Sequence, residues 1–157
     1  MLKGVDPLVT PALLEVLAAM GHGDELALVD RNFPAASTAQ RLICIPGSDL
    51  PAVASAILSL LPLDQFVESP LAGMARDDRP EEVPPVQQVV LAIASASSGR
   101  PLRLDRLARE VFYGRARTCF AVVSTGEARL FGCVILRKGI IGSEDDALHS
   151  LEVVESR

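Results

Sequence analysis

The sequence predicts a layered α/β domain with a mixed central sheet and helices on both faces. Helical and strand-like apolar patterns alternate along the chain, and two β runs close together near its end suggest an antiparallel pair in an otherwise parallel sheet. A hydrophobic fraction of 49% with only 4% aromatic residues and no Trp points to a core of Leu, Val, Ile and Ala. At 157 residues the chain is long enough for one domain with a real core and too short for two comfortable ones.

Thr10-Pro11 is a helix start, a side-chain cap followed by a proline in the first turn, and Leu13, Leu14, Leu17 and Met20 recur at helical spacing until Gly21. Residues 26–29 are the first strand. A loop over 31–40 leads to a second strand at 42–45, a Pro46-Gly47 turn and an amphipathic helix over 49–61. Residues 65–68 and 71–75 are short strand candidates, and the charged, proline-rich stretch 76–85 is a solvated loop before a third helix over 86–95. A brief strand at 102–104 precedes a helix that Asp105 can cap and that carries Arg109, Phe112 and Tyr113. Strands at 119–124 and 130–137 are joined by the hairpin-like Thr125-Gly126-Glu127-Ala128-Arg129. Residues 143–157 form an acidic C-terminal tail holding His149, so the domain proper is expected to span 1–142.

A net charge of −5 without clustered Lys or Arg excludes a general nucleic-acid binder. Pro or charge interrupts the apolar runs before the ~20 residues of a membrane span, and the start lacks a signal-peptide plan, so a cytoplasmic protein is expected. Mean hydropathy of +0.32 is high for such a chain, and an oligomeric interface would account for it. Cys44, Cys119 and Cys133 are odd in number, lack C-x-x-C spacing and read as buried thiols. With His22 and His149 the sole histidines, no metal site is expected.

Chemistry concentrates in Met20-Gly21-His22-Gly23-Asp24-Glu25 and the Asp30 that follows the first strand. Imidazole titrates near neutrality and flanking glycines let a ligand approach closely, so His22 is a candidate for proton transfer; the alternative is a surface residue past a helix cap. Asp30 lies at a strand end, able to accept from a ligand hydroxyl or to orient His22, or else to serve as a loop residue. Arg109 and Tyr113, four apart, share a helix face and can present a guanidinium and the chain's one phenol, or merely pack their stems. Nucleophile-elbow, phosphate-loop and dinucleotide-binding motifs are absent.

Four blocks together resemble the RbsD/FucU family of ribose pyranases and fucose mutarotases, and within it the fucose mutarotases. They are Met20 to Glu25 with Asp30-Arg31-Asn32-Phe33-Pro34; Leu61-Pro62-Leu63-Asp64 with Val67-Glu68-Ser69-Pro70; Phe112-Tyr113 with Arg115-Ala116; and Phe120-Ala121-Val122-Val123 with Thr125-Gly126-Glu127. The resemblance implies a three-layer α/β/α subunit of RbsD-like fold, assembly into ring-shaped decamers with the site near a subunit interface, and a cofactor-free isomerase that interconverts forms of a free monosaccharide. It also implies His22 as proton donor, Tyr113 as a second proton-transfer group, and Asp30 and Arg109 as sugar-binding residues. The family's Tyr-Gly-Asn sugar-binding triplet stands here as Phe131-Gly132-Cys133. Phe131 keeps a ring but loses a hydroxyl, and Cys133 replaces an amide with a weak donor, which implies weaker fucose binding or a different sugar. The alternatives carried forward are a weakly catalytic sugar-binding protein and a ribose pyranase.

Overall fold

A computed structural model describes residues 1–142; the expected acidic tail and His149 lie outside them. Helix α1 (Pro11–Ala19) begins as its sequence dictates, with the Leu13 N–H donating to Thr10 Oγ1 at 3.2 Å and Pro11 at a position whose N–H would have no helical partner. Strand β1 (Glu25–Val29) follows the Gly-His-Gly turn. The loop after β1 holds a single helical turn, α2 (Ala35–Thr38), which the sequence does not announce. Strand β2 (Leu42–Ile45) keeps its expected bounds, and Asp49 caps α3 (Leu50–Leu58) by accepting from the Ala52 N–H at 3.0 Å. This helix stops three residues early because the N–H groups of Leu60 and Leu61 both turn onto the Ile57 carbonyl. Then come β3 (Leu71–Met74), α4 (Pro85–Ser98), β4 (Leu104–Leu107), α5 (Arg109–Thr118), β5 (Ala121–Thr125) and β6 (Val134–Arg137).

Five expectations are corrected. Residues 65–68 are not a strand, since the Phe66 N–H bends back to the Asp64 carboxylate at 3.0 Å. Asp105 lies within β4, and Ala108 precedes α5 in its place. Residues 130–133 form a loop that shortens the last strand, and Cys44 on the edge strand β2 is exposed. Finally, β5 and β6 make no hairpin. The sheet order is β2-β5-β1-β6-β3-β4, with β1 lying between them, parallel to β5 and antiparallel to β6. Leu26, Ala27, Leu28 and Val29 are wholly buried, and a strand so apolar gains most at the centre of the sheet, with a paired neighbour on each side. The mixed sheet is as expected, but its single antiparallel member comes from β6 folding back beside β1.

Alternate residues of β1 face opposite ways. Leu26 and Leu28 join α1, α3 and α4 in one apolar cluster, while Ala27 and Val29 join Phe33 and the Phe112 of α5 in another. The three layers follow. Among the described residues no helix is long and apolar enough to cross a membrane.

The five parallel strands end at one edge of the sheet, the carboxyl edge, where β6 begins; β6 ends at the opposite, amino edge. The connection from β5 to β6 crosses the carboxyl edge, tied there by buried Glu127. Its carboxylate accepts from the N–H of Leu50 at 3.1 Å and from the N–H and guanidinium of Arg129, each at 2.8 Å. The Arg129 hydrogen bonds, against the opposing effect of burial, pull its pKa down to about 2. A carboxylate held that low stabilises the fold above the pKa of an unfolded glutamate, and the contribution disappears as pH falls towards 2. Because Arg129 is half exposed, this is worth about 2 kcal/mol. Urea unfolding between pH 6 and pH 2 is expected to show that loss in the parent chain and not in Glu127→Gln.

Candidate active site

His22 lies in the turn between α1 and β1 at the amino edge. Gly23 there has φ of 84°, a conformation glycine adopts without penalty, and its N–H extends the ladder by donating to the Lys138 carbonyl at 2.8 Å. The Asp24 carboxylate closes the turn by accepting from the Gly21 N–H at 2.7 Å. So held, His22 places Nε2 3.3 Å from Asp64 Oδ1, with the edge of the Phe66 ring 5.6 Å away between centroids. Its side chain is 45% exposed, whereas that of Asp64 is 1% exposed.

Burial alone would raise the Asp64 pKa, but the Phe66 N–H, Arg137 Nε at 2.9 Å and His22 together hold its carboxyl below the usual range. An ionised carboxylate only accepts, so Nε2 must carry the proton it shares with Asp64. Nδ1 is then the ring atom left to exchange protons with a ligand. Arg137 also faces Glu25, and Arg115 Nε donates to Glu25 Oε2 at 2.9 Å, so the guanidiniums beside the dyad are neutralised. Asp24 and Glu25 thus shape the turn and balance its charge. Beside them opens a cleft of 390 Å³ lined by Arg137, Arg115, Arg103, Asp105, Glu68 and neighbouring residues.

Asp30 lies at the other end of β1. Five residues of strand put about 17 Å between the two edges, so Asp30 does not orient His22 within one chain. Its Oδ1 accepts from the N–H groups of Asn32 and Phe33 at 2.9 and 3.1 Å, and its Oδ2 lies 3.4 Å from Cys133 Sγ. Burial, and then the charge of Asp30, push the Cys133 thiol well above its ordinary pKa, so it stays protonated and donates. Gly132 is obligatory: a Cβ there would stand 2.6 Å from Glu127 Cγ and 3.5 Å from Asp30 Cβ. Phe131 has φ of 60°, a left-handed conformation costing a side-chain-bearing residue about 1–2 kcal/mol.

Tyr113 packs against Phe33, with 5.1 Å between ring centroids, and so lies beside the Asp30 turn. Arg109 starts α5 at the rim of the same edge, where Nη1 pairs with Asp77 at 3.1 Å; both side chains are half exposed. The carboxyl edge therefore gathers Asp30, Arg109, Tyr113, Phe131, Gly132 and Cys133, and the amino edge holds His22 alone of the expected set. Asp64 and Arg137 complete the His22 cluster, and the sequence does not single them out as site residues, because nothing local marks contacts spanning 42 and 73 positions.

The arrangement of His22, Asp30 and the Phe-Gly-Cys turn can be set beside known proteins. The model of the RbsD / FucU transport protein family matches residues 3–141. The chain belongs to this family. Among relatives of this RbsD/FucU chain, the L-fucose mutarotase of Actinobacillus pleuropneumoniae serotype 5b is 41% identical over 140 residues, covering 89% of this chain and 97% of its own. The human fucose mutarotase is 43% identical over 150 residues, covering 89% and 94%. The crystal structure of the fucose mutarotase from Streptococcus pneumoniae in complex with L-fucose superposes with a TM-score of 0.83 at 35% identity, covering 90% of this RbsD/FucU chain and all of that one.

Proposed function

We propose that this protein is a sugar mutarotase, an isomerase that interconverts the anomers of L-fucose or a closely related free monosaccharide. The observation that carries this reading is the His22–Asp64 pair, an exposed imidazole backed by a buried carboxylate. Relatives named as fucose mutarotases share about two fifths of the sequence over nearly its whole length, which supports the same chemistry here. Anomers exchange through the open-chain aldehyde. A proton reaches the ring oxygen, the anomeric hydroxyl loses one, the bond from the anomeric carbon to the ring oxygen breaks, and closure on the other face reverses both transfers.

In this reading Nδ1 of His22 supplies and recovers the proton while Asp64, through Nε2, holds the ring and stabilises its charged form. Positioned acid–base catalysis of this kind contributes about 10²–10⁴-fold. Asp30, Arg109 and the turn from Phe131 to Cys133 bind the sugar hydroxyls, with Tyr113 as the second proton-transfer group. Asp30 offers its remaining lone pairs, and the weakly donating thiol of Cys133 is readily displaced from Oδ2.

We further propose that a complete site joins the amino edge of one copy to the carboxyl edge of another, within a ring-shaped decamer acting in the cytoplasm. The separation of His22 from Asp30 along β1 supports this. So do Phe66 beside His22 and Leu130 beside Phe131, 67% and 68% exposed, each an apolar residue that a neighbouring copy would cover. Light scattering that finds a stable monomer with full activity would overturn the shared site.

Saturation-transfer NMR on L-fucose, D-galactose and D-ribose tests the activity. Accelerated exchange, greatest for fucose or a close relative, is expected; no acceleration for any sugar would overturn the enzymatic reading, and acceleration confined to ribose would make the protein a pyranase. The Cys133–Asp30 contact favours a second reading, a weakly catalytic sugar binder. Restoring the family's triplet with Phe131→Tyr and Cys133→Asn is then expected to tighten fucose binding by about tenfold, one good hydrogen bond's worth. Equal binding by parent and double variant would show that these positions are not what limits it.

A further inference from the structure

Gln87 is a polar residue on the buried face of α4, between Val86 and Val90, and 1% of its surface is exposed. Its Nε2 donates to two carbonyls at once, that of Met74 at the end of β3, 2.8 Å away, and that of Phe131, 2.7 Å away. Carbonyls only accept, so the amide nitrogen must face them. Oε1 then points at Gly73, where a Cβ would lie 2.1 Å from it, and it is buried without a hydrogen-bond partner. A buried acceptor left unpaired opposes folding, so the residue is explained by its two donated bonds and not by its packing.

Those bonds fall where the backbone needs them. Phe131 holds a left-handed conformation that its side chain disfavours, and Gly132 and Cys133 follow it directly over Asp30. The Cys133 carbonyl accepts from the Met74 N–H at 3.1 Å, so Gln87 and β3 grip the turn on either side of Gly132.

We propose that Gln87 is a positioning residue for sugar binding: by tying the carbonyls of Met74 and Phe131 together it fixes the turn that presents Phe131, Gly132 and Cys133 beside Asp30. It touches no sugar itself. The inference rests on the reading above that this edge binds the sugar.

The test compares Gln87→Met, which keeps the volume and removes both donors, with Val90→Ala, a core truncation one helical turn away, and Asp30→Asn. Melting temperature and the KM and kcat of fucose exchange are measured for each. Gln87→Met is expected to raise KM by about fivefold or more, the equivalent of one lost hydrogen bond, with kcat held within about twofold because His22 lies on the other edge. Val90→Ala, even with the larger fall in melting temperature, is expected to leave KM unchanged. If Gln87→Met does not fold, Gln87→Ala, which leaves room for water in its place, carries the same comparison. A raised KM in Asp30→Asn with an unchanged KM in the Gln87 variant overturns the role of Gln87 alone. Unchanged KM in both overturns the placing of the sugar at this edge, and the inference with it. Equal rises in KM for Val90→Ala and the Gln87 variant reduce Gln87 to an ordinary core residue.

Discussion

His22→Gln is expected to slow fucose anomer exchange by about 10²–10⁴-fold, the share that a positioned proton-transfer group contributes. Glutamine keeps a polar head near Asp64 but cannot cycle a proton at neutral pH. His22 is exposed and its turn is closed by Asp24 and Gly23, neither of which depends on the imidazole. The melting temperature should therefore change little while kcat collapses. Exchange NMR on the variant at saturating sugar checks this, and a kcat within about threefold of the parent would remove His22 from the chemistry.

The second large effect is expected from Asp64→Asn. The parent carboxylate accepts from Phe66, Arg137 and His22. An amide of the same shape loses the charge that Arg137 and a protonated imidazole require. Arg137 is over a third exposed, so the structural loss is limited to about 2 kcal/mol. Exchange is expected to fall by a further factor of about 10–100, since the proton on Nε2 is no longer held by an anion and the imidazolium loses its stabilising partner. The pH dependence follows from the direction of the Asp64 shift. A carboxyl held below its ordinary range stays ionised in the fold until pH falls beneath that range, so the stability it provides is retained down through mild acid and lost only below it. Chemical denaturation of parent and Asp64→Asn across pH 2 to 7 should show curves that converge at the acid end. Curves that stay parallel throughout would show that the charge on Asp64 contributes nothing.

Much of the fold was legible because its signals are local. Thr10-Pro11 announces a helix start by side-chain chemistry that acts within one turn, and the structure places that cap as read, while Asp49, expected as the first residue of its helix, caps it one position before the helix begins. Strand pairing is not local. Residues 125–129 look like a hairpin connection, yet β1, about a hundred residues earlier, takes the place between β5 and β6 because burying its apolar run Leu26 to Val29 on both sides outweighs the short loop. Asp105 shows the same limit, a good cap residue whose segment the neighbouring β3 recruits as a strand. At the candidate site, the individual residues were legible by type and by resemblance, but not their grouping. The gathering of Asp30 with Cys133 across 103 positions, and of His22 with Asp64 across 42, is a property of the sheet. Gln87 alone left a readable trace, a polar side chain at the apolar spacing of α4.

Catalysis in the proposed shared site needs His22 from one copy and the Asp30 edge from another, and mixing two variants that each lack one of them tests this most directly. His22→Gln and Asp30→Asn chains, the first impaired in kcat and the second in KM so that neither exchanges much fucose when the sugar is kept far below KM, are unfolded and refolded together in equal amounts, and exchange is measured by NMR at that sugar concentration. With random assembly a shared site receives an intact His22 half the time and an intact Asp30 edge half the time, so about a quarter of parental activity is expected to return. A mixture that stays as inactive as its two components, while scattering as the same oligomer, would contradict the account and confine the chemistry to a single chain.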